Sequence, residues 1–278
     1  MTENFTEVNG IKICYEAKGD GYPLILIHGV GAKKETWIAQ IKALSNRFKI
    51  IALDLRGTGK SDRPNFPYTM EMFVNDIKGL MDKLKIEKAH IAGRSMGGMV
   101  AQHFVLMYPQ YVDKLILITT SPRFPDEEGI DLMIQNNIEE LQKSKLEPIK
   151  TFWQKSRFLF HQKFRKEMKS NPDKKFFGVW SPRDLIKEDA INPPRAQDIR
   201  NQWHSIKKHD TFNRLSEIKH ETLLITASHD RLTPKITMQQ MNELMPNSQL
   251  KVIEKSGHYC HLSNANEFNQ MILDFLEN

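Results

Sequence analysis

The run His90-Ile91-Ala92-Gly93-Arg94-Ser95-Met96-Gly97-Gly98-Met99 carries the clearest structural signal of the chain. Within it, an apolar segment leads into Gly93-Arg94-Ser95-Met96-Gly97, which has the form G-x-S-x-G, and a helical pattern follows. This order predicts a strand, a tight turn and a helix, with Ser95 exposed on the turn. Glycines at both ends suit such a turn because it leaves no room for side chains there. Ser95 is therefore a candidate nucleophile, and a nucleophilic serine needs a base, an acid that orients the base and an oxyanion site.

Short apolar runs alternate with helical patterns on both sides of this turn. The runs that predict strands are 12–16, 23–28, 48–55, 89–93, 112–120, 221–227 and 249–254. The patterns that predict helices are 36–46, 69–85, 96–107, 235–245 and 265–276. Strands that lack polar alternation and are separated by helices indicate a mostly parallel sheet with helices on both faces. The predicted fold class is therefore α/β.

The alternation of strands and helices stops after Ser121-Pro122. Residues 123–208 contain helical patterns interrupted by prolines, no good strand, and ten of the chain's 25 aromatic residues. We interpret 1–122 and 209–278 as one core and 123–208 as a helical insertion. The insertion has 18 Lys or Arg and 13 Asp or Glu residues, so it carries +5 of the net charge of +6.

The composition bounds the class of protein and its compartment. The 278 residues are 40% hydrophobic and 27% charged, which is typical of a globular protein. No apolar run approaches the roughly 20 residues that span a bilayer, and the N-terminal residues do not resemble a secretion signal. Cys14 and Cys260 lie far apart in the sequence, which indicates reduced thiols in a cytoplasmic protein. The segment His258-Tyr259-Cys260-His261 has no second cluster to complete a metal site, so we expect neither a metal nor a cofactor.

The net positive charge of the insertion indicates which partners the protein could bind. We interpret it as a solvated, lysine-rich surface, since charge governs solubility more than fold. Residues 152–169 mix Trp and Phe with Lys and Arg like an interfacial helix, which leaves membrane docking as an alternative. Nucleic-acid binding is not expected, because the basic residues are interspersed with acidic ones and no recognised module is present. The expected partner is a small-molecule substrate, and the chain is expected to be a monomer or a homodimer.

A glycine-rich loop, His28-Gly29-Val30-Gly31, directly follows a predicted strand. Such a loop can turn a backbone N–H toward a reacting carbonyl oxygen. We predict that the amides of Val30 and Met96 form the oxyanion hole, and the alternative is a plain strand-to-helix turn.

A second loop, 54–62, contains glycines as a phosphate-binding loop does, but it lacks the full spacing of that motif. We interpret it as structural, with Arg56 and Asp54 joined by a charge-assisted pair.

The predicted acid and base follow the last two strands. Asp230 stands after the strand 221–227, at the edge where α/β sheets gather functional groups, and Asp126 is the rival acid. His258 follows the strand 249–254, with His261 as its competitor by proximity. The candidates therefore occur in the order Ser95, Asp230, His258 along the chain. Asp230 would hold His258 in the correct tautomer, and His258 would accept the proton of Ser95.

Together these motifs resemble those of the α/β-hydrolase superfamily over nearly the whole chain. The set comprises H-G-x-G at 28–31, D-x-R-G-x-G-x-S-D at 54–62, G-x-S-M-G-G at 93–98, the Asp230 turn that ends at Pro234, and G-H at 257–258. Within the superfamily the chain looks like the small capped branch of carboxylesterases, enol-lactonases and C–C bond hydrolases. The resemblance implies an eight-stranded, mostly parallel sheet with a helical cap, 123–208, inserted after the sixth core strand. It also implies cleavage through an acyl-enzyme or a related serine-bound step.

The chain departs from the pattern of this branch at a few positions. Many relatives have His where Thr58 stands, and an acid and a proline where Ser263 and Asn264 lie. Arg94 is bulky for the position before the nucleophile. None of these departures touches the three catalytic candidates, so they bear on the substrate rather than on the reaction.

The expected activity is that of a carboxylesterase-like serine hydrolase on small to medium, largely apolar acyl or aryl esters. Enol-lactone hydrolysis, C–C bond hydrolysis and the role of a slow-turnover ligand receptor are the alternatives, with perhydrolysis as a side activity. The aromatic residues of the cap, with Met96, Met99 and Met133, suggest a mostly apolar substrate pocket. The alternative is that these aromatic residues only pack the cap onto the core, as most of them must.

Overall fold

A single eight-stranded sheet organises the computed structural model, which describes residues 3–124 and 127–278. Its strands are β1 (Glu3–Val8), β2 (Ile11–Lys18), β3 (Tyr22–Ile27), β4 (Phe48–Leu53), β5 (Ala89–Arg94), β6 (Val112–Ile118), β7 (Thr222–Ala227) and β8 (Ser248–Ile253). They lie in the order β1-β2-β4-β3-β5-β6-β7-β8. The pairs β1–β2 and β2–β4 are antiparallel and all later pairs are parallel. The predicted α/β class with a mostly parallel sheet is therefore confirmed.

All seven strands predicted from apolar runs are present, and their ends differ from the prediction by no more than two residues. The first strand, β1, is the exception, since no apolar run announces it. Its sequence is mostly polar and only Val8 is buried. An edge strand of this kind is held by its ladder to β2 rather than by burial, so hydrophobic pattern does not reveal it.

The helices follow the predicted pattern closely. The described helices are α1 (Ile38–Leu44), α2 (Met70–Lys83), α3 (Met96–Met107), α4 (Glu127–Leu146), α5 (Pro148–Leu159), α6 (Gln162–Ser170), α7 (Pro182–Ala190), α8 (Ala196–Lys207), α9 (Lys235–Leu244), α10 (Cys260–Ser263) and α11 (Ala265–Leu276). The helix predicted at 36–46 begins as a 3₁₀ turn, Lys34–Trp37, before α1. None of the described helices combines the length and the apolar character that crossing a membrane requires.

Successive residues of the central strands enter opposite faces of the sheet. Ile25 and Ile27 belong to a buried cluster that also contains residues of α2, α3 and α9. Leu24 and Leu26 belong to a second cluster, which contains residues of α1 and α11. Helices therefore cover the sheet on both faces, which explains why its strands are apolar without alternation.

Helices α4 to α8 lie between β6 and β7 and contact the rest of the chain in two places. Ile199 and Trp203 of α8 join the cluster formed by α2, α3 and α9. Phe152, Phe160 and Trp180 pack with residues of α10 and α11 in a third cluster. Most aromatic residues of the insertion therefore pack within it or against the core. The boundaries at 122/123 and 208/209 stay a prediction.

Candidate active site

Ser95 stands on a strained turn between β5 and α3. Its backbone has φ 56° and ψ −124°, a conformation that side-chain-bearing residues rarely adopt and that costs about 1–3 kcal/mol. A Cβ on Gly93 would lie 2.2 Å from the carbonyl oxygen of Gly97, and one on Gly97 would lie 2.2 Å from that of Ile27. The two glycines are therefore needed for steric reasons, as the sequence predicted.

The end of β6 holds this turn in place. Ser95 donates its N–H to the carbonyl of Ile118 at 2.9 Å, and its own carbonyl accepts from Thr120 Oγ1 at 2.8 Å. Thr119 Oγ1 donates to the carbonyl of His258 at 3.4 Å. One short segment therefore contacts both the serine turn and the histidine loop.

Asp230 and His258 form a buried pair at the carboxyl ends of β7 and β8. His258 Nδ1 lies 2.8 Å from Asp230 Oδ2, and the residues are 3% and 8% exposed. Asp230 also accepts from the N–H groups of Leu232 and Thr233 and from Thr233 Oγ1, at 2.8, 3.0 and 2.6 Å. Burial raises the pKa of Asp230, but His258 and the Thr233 hydrogen bonds outweigh it and hold that pKa below its usual value. The ionised carboxylate keeps the proton on Nδ1 and leaves Nε2 as the basic nitrogen.

The loop 28–31 runs beside Ser95. A Cβ on Gly29 would lie 3.0 Å from the Cβ of Ser95, so a side chain there would press on the serine. The Val30 amide belongs to this loop, and the Met96 amide lies in the first turn of α3, where helix N–H groups lack a partner within the helix. The structure thus brings both predicted oxyanion donors to segments that adjoin Ser95.

Gln202 of α8 fixes this loop, a role that the sequence did not indicate. Its Oε1 accepts the N–H of Gly31 at 2.9 Å and its Nε2 donates to the carbonyl of Gly57 at 3.2 Å. The side chain is fully buried. A glutamine in a helix of the insertion carries no motif, so only the three-dimensional structure shows that it bridges the loops 28–31 and 54–62.

His28 joins the same two loops from inside the core. Its Nδ1 donates to the carbonyl of Gly29 at 2.8 Å, and its Nε2 accepts the N–H of Leu55 at 3.1 Å. Burial lowers the pKa of His28 to about 4, so the ring is neutral at pH 7. His28 therefore acts as a structural crosslink behind the predicted oxyanion loop.

The predicted pair between Arg56 and Asp54 is wrong. Arg56 instead binds Asp76 of α2 through two hydrogen bonds of 2.6 and 2.7 Å. Asp54 lies 3.1 Å from the ammonium of Lys34 and accepts the N–H groups of Lys34 and Lys60. The loop turns back around the Asp54 carboxylate, while Arg56 reaches α2, whose approach the sequence did not reveal. The loop is structural, as predicted, but with different partners.

His261, the competitor of His258, has a different environment. It lies fully buried in α10, its Nε2 is 3.2 Å from Thr36 Oγ1, and its ring packs on Trp37. Burial lowers the pKa of His261 well below its usual value. The hydrogen-bond partners of Asp230 include His258 but not His261. The rival acid, Asp126, lies outside the described residues.

A cavity of about 470 Å³ adjoins the Asp230 loop. Its lining residues are Ser121, Arg123, Phe124, Gly129, Met133, Leu232, Thr233, Pro234 and Thr237. Thr233 connects the cavity to the Asp230–His258 pair, because its hydroxyl donates to Asp230. Met133 lines the cavity as expected. Met96 and Met99, which were expected there too, lie in the buried core cluster.

Arg94 places a buried positive charge directly before the nucleophile. The residue is 2% exposed, and its guanidinium lies 4.3 Å from the centroid of the Tyr259 ring. Its Nε has no hydrogen-bond partner, and no carboxylate of residues 3–124 or 127–278 lies within ion-pair distance. A Cβ on Gly29 would lie 3.1 Å from Arg94 Nη2, so the guanidinium reaches the loop beside Ser95.

Comparison with known proteins identifies the family of the chain. A family model described as the alpha/beta hydrolase fold matches residues 22–265. The chain belongs to this family. A 2-hydroxy-6-oxononadienedioate/2-hydroxy-6-oxononatrienedioate hydrolase of Pseudomonas putida is 31% identical to it, over 96% of this chain and 92% of that protein.

Two further proteins resemble the chain in fold or over part of its sequence. The crystal structure of the enol-lactonase from Burkholderia xenovorans superposes with a TM-score of 0.83 at 22% identity, over 99% of this chain and all of that one. An uncharacterized protein of Mycobacterium tuberculosis is 39% identical, but over 118 residues only, 42% of this chain. The matched part spans about a third (35%) of the length of that protein. Alpha/beta hydrolases with different substrates thus share this architecture.

Proposed function

We propose that this alpha/beta hydrolase cleaves carboxylic esters through Ser95, His258 and Asp230. The observation that carries the proposal is the buried Asp230–His258 pair at 2.8 Å, at the sheet edge where the strained Ser95 turn follows β5. Each residue follows the carboxyl end of a parallel strand, so the fold gathers all three at one edge of the sheet.

The proposed reaction begins with attack of Ser95 Oγ on the ester carbonyl. Nε2 of His258 accepts the serine proton and then donates it to the leaving alcohol, while Asp230 stabilises the imidazolium. The N–H groups of Val30 and Met96 donate to the oxyanion, each contributing about 3 kcal/mol to the transition state. Water, activated by His258, hydrolyses the resulting acyl-enzyme and restores the serine.

The lining of the cavity beside Asp230 supports small to medium, largely apolar substrates. Phe124, Met133, Leu232 and Pro234 contribute apolar surface, and Arg123 is its cationic residue. Residues 123–208 form a cap in this proposal, since α4 supplies Met133 to one wall. The buried thiols of Cys14 and Cys260 fit a reducing compartment, and we place the protein in the cytoplasm.

The test is hydrolysis of p-nitrophenyl esters of increasing acyl length by the wild type and by Ser95→Ala. We expect turnover to fall by about 10⁴-fold or more in the variant. Ser216→Ala removes the hydroxyl of an exposed serine and is the matched control, with turnover unchanged. Undiminished turnover in Ser95→Ala would refute the proposed nucleophile, and absence of turnover on every ester would refute the substrate class.

Arg94 favours a second candidate, hydrolysis of a C–C bond in a substrate that carries a carboxylate. A buried guanidinium without an acidic partner is costly, and a bound carboxylate would offset that cost. The Pseudomonas putida relative is named for a dioate substrate, which carries two carboxylates.

A comparison of substrates separates the two candidates. Arg94→Met is expected to lower kcat/KM for carboxylate-bearing substrates by about 10–100-fold, the value of a charge-assisted hydrogen bond, and to leave neutral esters nearly unchanged. The neutral ester is the internal control for folding. Equal effects on neutral and carboxylate-bearing substrates would show that Arg94 does not bind a substrate carboxylate.

A further inference from the structure

A second cavity, of about 460 Å³, lies between α5 and α6, and none of its lining residues is part of the candidate active site. Its lining residues are Lys150, Trp153, Gln154, Arg157, Arg165, Lys166 and Lys169. Five of these seven side chains are cationic and none is acidic. We call these residues the basic cavity.

The positive charge of the whole chain is concentrated around the basic cavity. Residues 148–170 contain seven Lys or Arg and one acidic residue, Glu167, so their net charge is +6. The net charge of the whole chain is also +6, which leaves the remaining residues neutral in sum. A local excess of this size creates a positive potential that attracts anions.

Most cations of the basic cavity lack an acidic partner. Lys150 pairs with Glu147 at 2.9 Å, and Glu167 pairs with Lys174 outside the cavity. Within 3–124 and 127–278, no ion pair involves Arg157, Arg165, Lys166 or Lys169. Four like charges around one cavity repel one another, and a bound anion would relieve that repulsion.

Helix α5 presents this charge outward. Lys150, Trp153, Gln154 and Arg157 have the spacing i, i+3, i+4, i+7 and therefore share one helix face. The residues Thr151, Phe152, Ser156 and Leu159 of the same helix are buried. Packing against the protein thus uses mainly the opposite face, with Trp153 as a partly buried exception. Lys150, Gln154 and Arg157 are exposed and remain available to a partner.

Exposed apolar side chains occur along the same helix and just before it. Leu146, Ile149 and Phe158 are 85%, 60% and 52% exposed. None of the three lines the basic cavity, so a small phosphorylated ligand held there gives no reason for their exposure. Cations beside exposed large apolar residues are instead the combination that binds an anionic membrane surface, where the cations meet headgroups and the apolar groups enter the interfacial layer.

We propose that α5 and α6 dock the protein on anionic phospholipid membranes, with headgroup phosphates in the basic cavity and Leu146, Ile149 and Phe158 in the interfacial layer. Helix α5 also contacts the candidate site through its buried end, because the carbonyl of Leu159 accepts the N–H of Tyr259 at 2.8 Å. Tyr259 is the residue next to His258. The proposal does not depend on the identity of the substrate or on catalysis.

The test is co-sedimentation with vesicles of phosphatidylcholine alone and of phosphatidylcholine mixed with phosphatidylserine. We expect the full chain to bind the mixed vesicles and not the neutral ones, with affinity that falls as salt is added. The triple variant R157Q/K166Q/K169Q is expected to bind about a hundredfold more weakly, since each cation near an anionic surface contributes roughly fivefold. K83Q/K85Q/K251Q removes the same charge from exposed positions elsewhere and is the matched control, expected to bind like the wild type.

Two further measurements distinguish other anions from a lipid surface. The double variant I149S/F158S should weaken vesicle binding while leaving all cations in place, and the thermal unfolding temperature of every variant verifies folding. Titration with inorganic pyrophosphate and with a single-stranded oligonucleotide tests soluble polyanions. Binding to either one without binding to mixed vesicles would overturn the proposal. Equal loss of vesicle binding in the control triple variant would also overturn it, because net charge alone would then explain binding.

Discussion

Replacement of Gln202 by leucine tests whether the insertion positions the predicted oxyanion loop. Leucine is similar in size but offers neither an acceptor to the N–H of Gly31 nor a donor to the carbonyl of Gly57. The Gly57 carbonyl is buried, so leaving it without a hydrogen-bond partner costs about 1–3 kcal/mol. Loss of the hydrogen bond to the half-buried N–H of Gly31 costs less, because water can replace it. We expect Gln202→Leu to lower the free energy of unfolding by about 3 kcal/mol.

The effect of Gln202→Leu on catalysis follows from the same contacts. Gly31 neighbours Val30, and complete loss of one oxyanion donor costs about 10²–10³-fold in kcat. In Gln202→Leu the loop loses one support but keeps His28, so the donor is displaced rather than lost. We therefore expect kcat to fall by about 10–100-fold, with a smaller change in KM.

Urea unfolding and steady-state kinetics with one p-nitrophenyl ester measure both effects. Gln240→Leu, at an exposed glutamine of α9, is the matched control and should change stability by less than about 0.5 kcal/mol. A variant that is destabilised as expected but keeps the wild-type kcat would refute the reasoning, since the loop would then be fixed without Gln202.

Three further predictions concern the triad acid, a buried ion pair and acid stability. Asp230→Asn should lower kcat by about 10⁴-fold at unchanged fold, because the amide favours the wrong histidine tautomer, and a near-normal rate would exclude Asp230 as the orienting acid. Lys34→Met should destabilise by about 3–5 kcal/mol in urea unfolding, since its partner Asp54 is fully buried, whereas Lys60→Met, at an exposed pair, should cost under about 1 kcal/mol. Burial lowers the pKa of His28 to about 4 and of His209 to about 3, so the unfolded chain binds more protons below pH ~6.5. Stability should therefore fall from pH ~6.5 toward pH 4 by about 3 kcal/mol for each buried histidine, and His209→Gln should show a shallower fall; an equal slope would contradict this assignment.

The sequence predicted the sheet and the positions of the triad candidates because both depend on local patterns. Parallel strands buried on two faces must be continuous apolar runs, and a tight turn between a strand and a helix must have glycines at 93 and 97. The sequence order of the motifs then placed Ser95, Asp230 and His258 after parallel strands, whose carboxyl ends meet at one edge of the sheet.

The features that the sequence did not reveal depend on contacts between distant segments. Arg56 has acidic residues near it in sequence, but its partner is Asp76, which α2 brings close. The bridge of Gln202 between two loops requires α8 to cross them, and nothing in a single helix indicates which loops it will meet. β1 could not be predicted for a different reason. Backbone hydrogen bonds to β2 hold this strand, and they do not require apolar side chains that a sequence pattern could reveal.

The contacts of the insertion also bear on how a substrate can reach Ser95. The segment from α7 to α8 is tied to core loops: Lys33 donates to the carbonyls of Glu188 and Ile191, Arg63 donates to those of Asn192 and Pro193, and Gln202 holds the loop beside the nucleophile. Displacement of the whole segment would break these hydrogen bonds, and displacement of α8 would remove the Gln202 contacts that hold the proposed oxyanion loop. Displacement of α4, which supplies Met133 to the cavity beside Asp230, would leave them intact. By these contacts α8 is better described as a fixed part of the candidate site than as a lid.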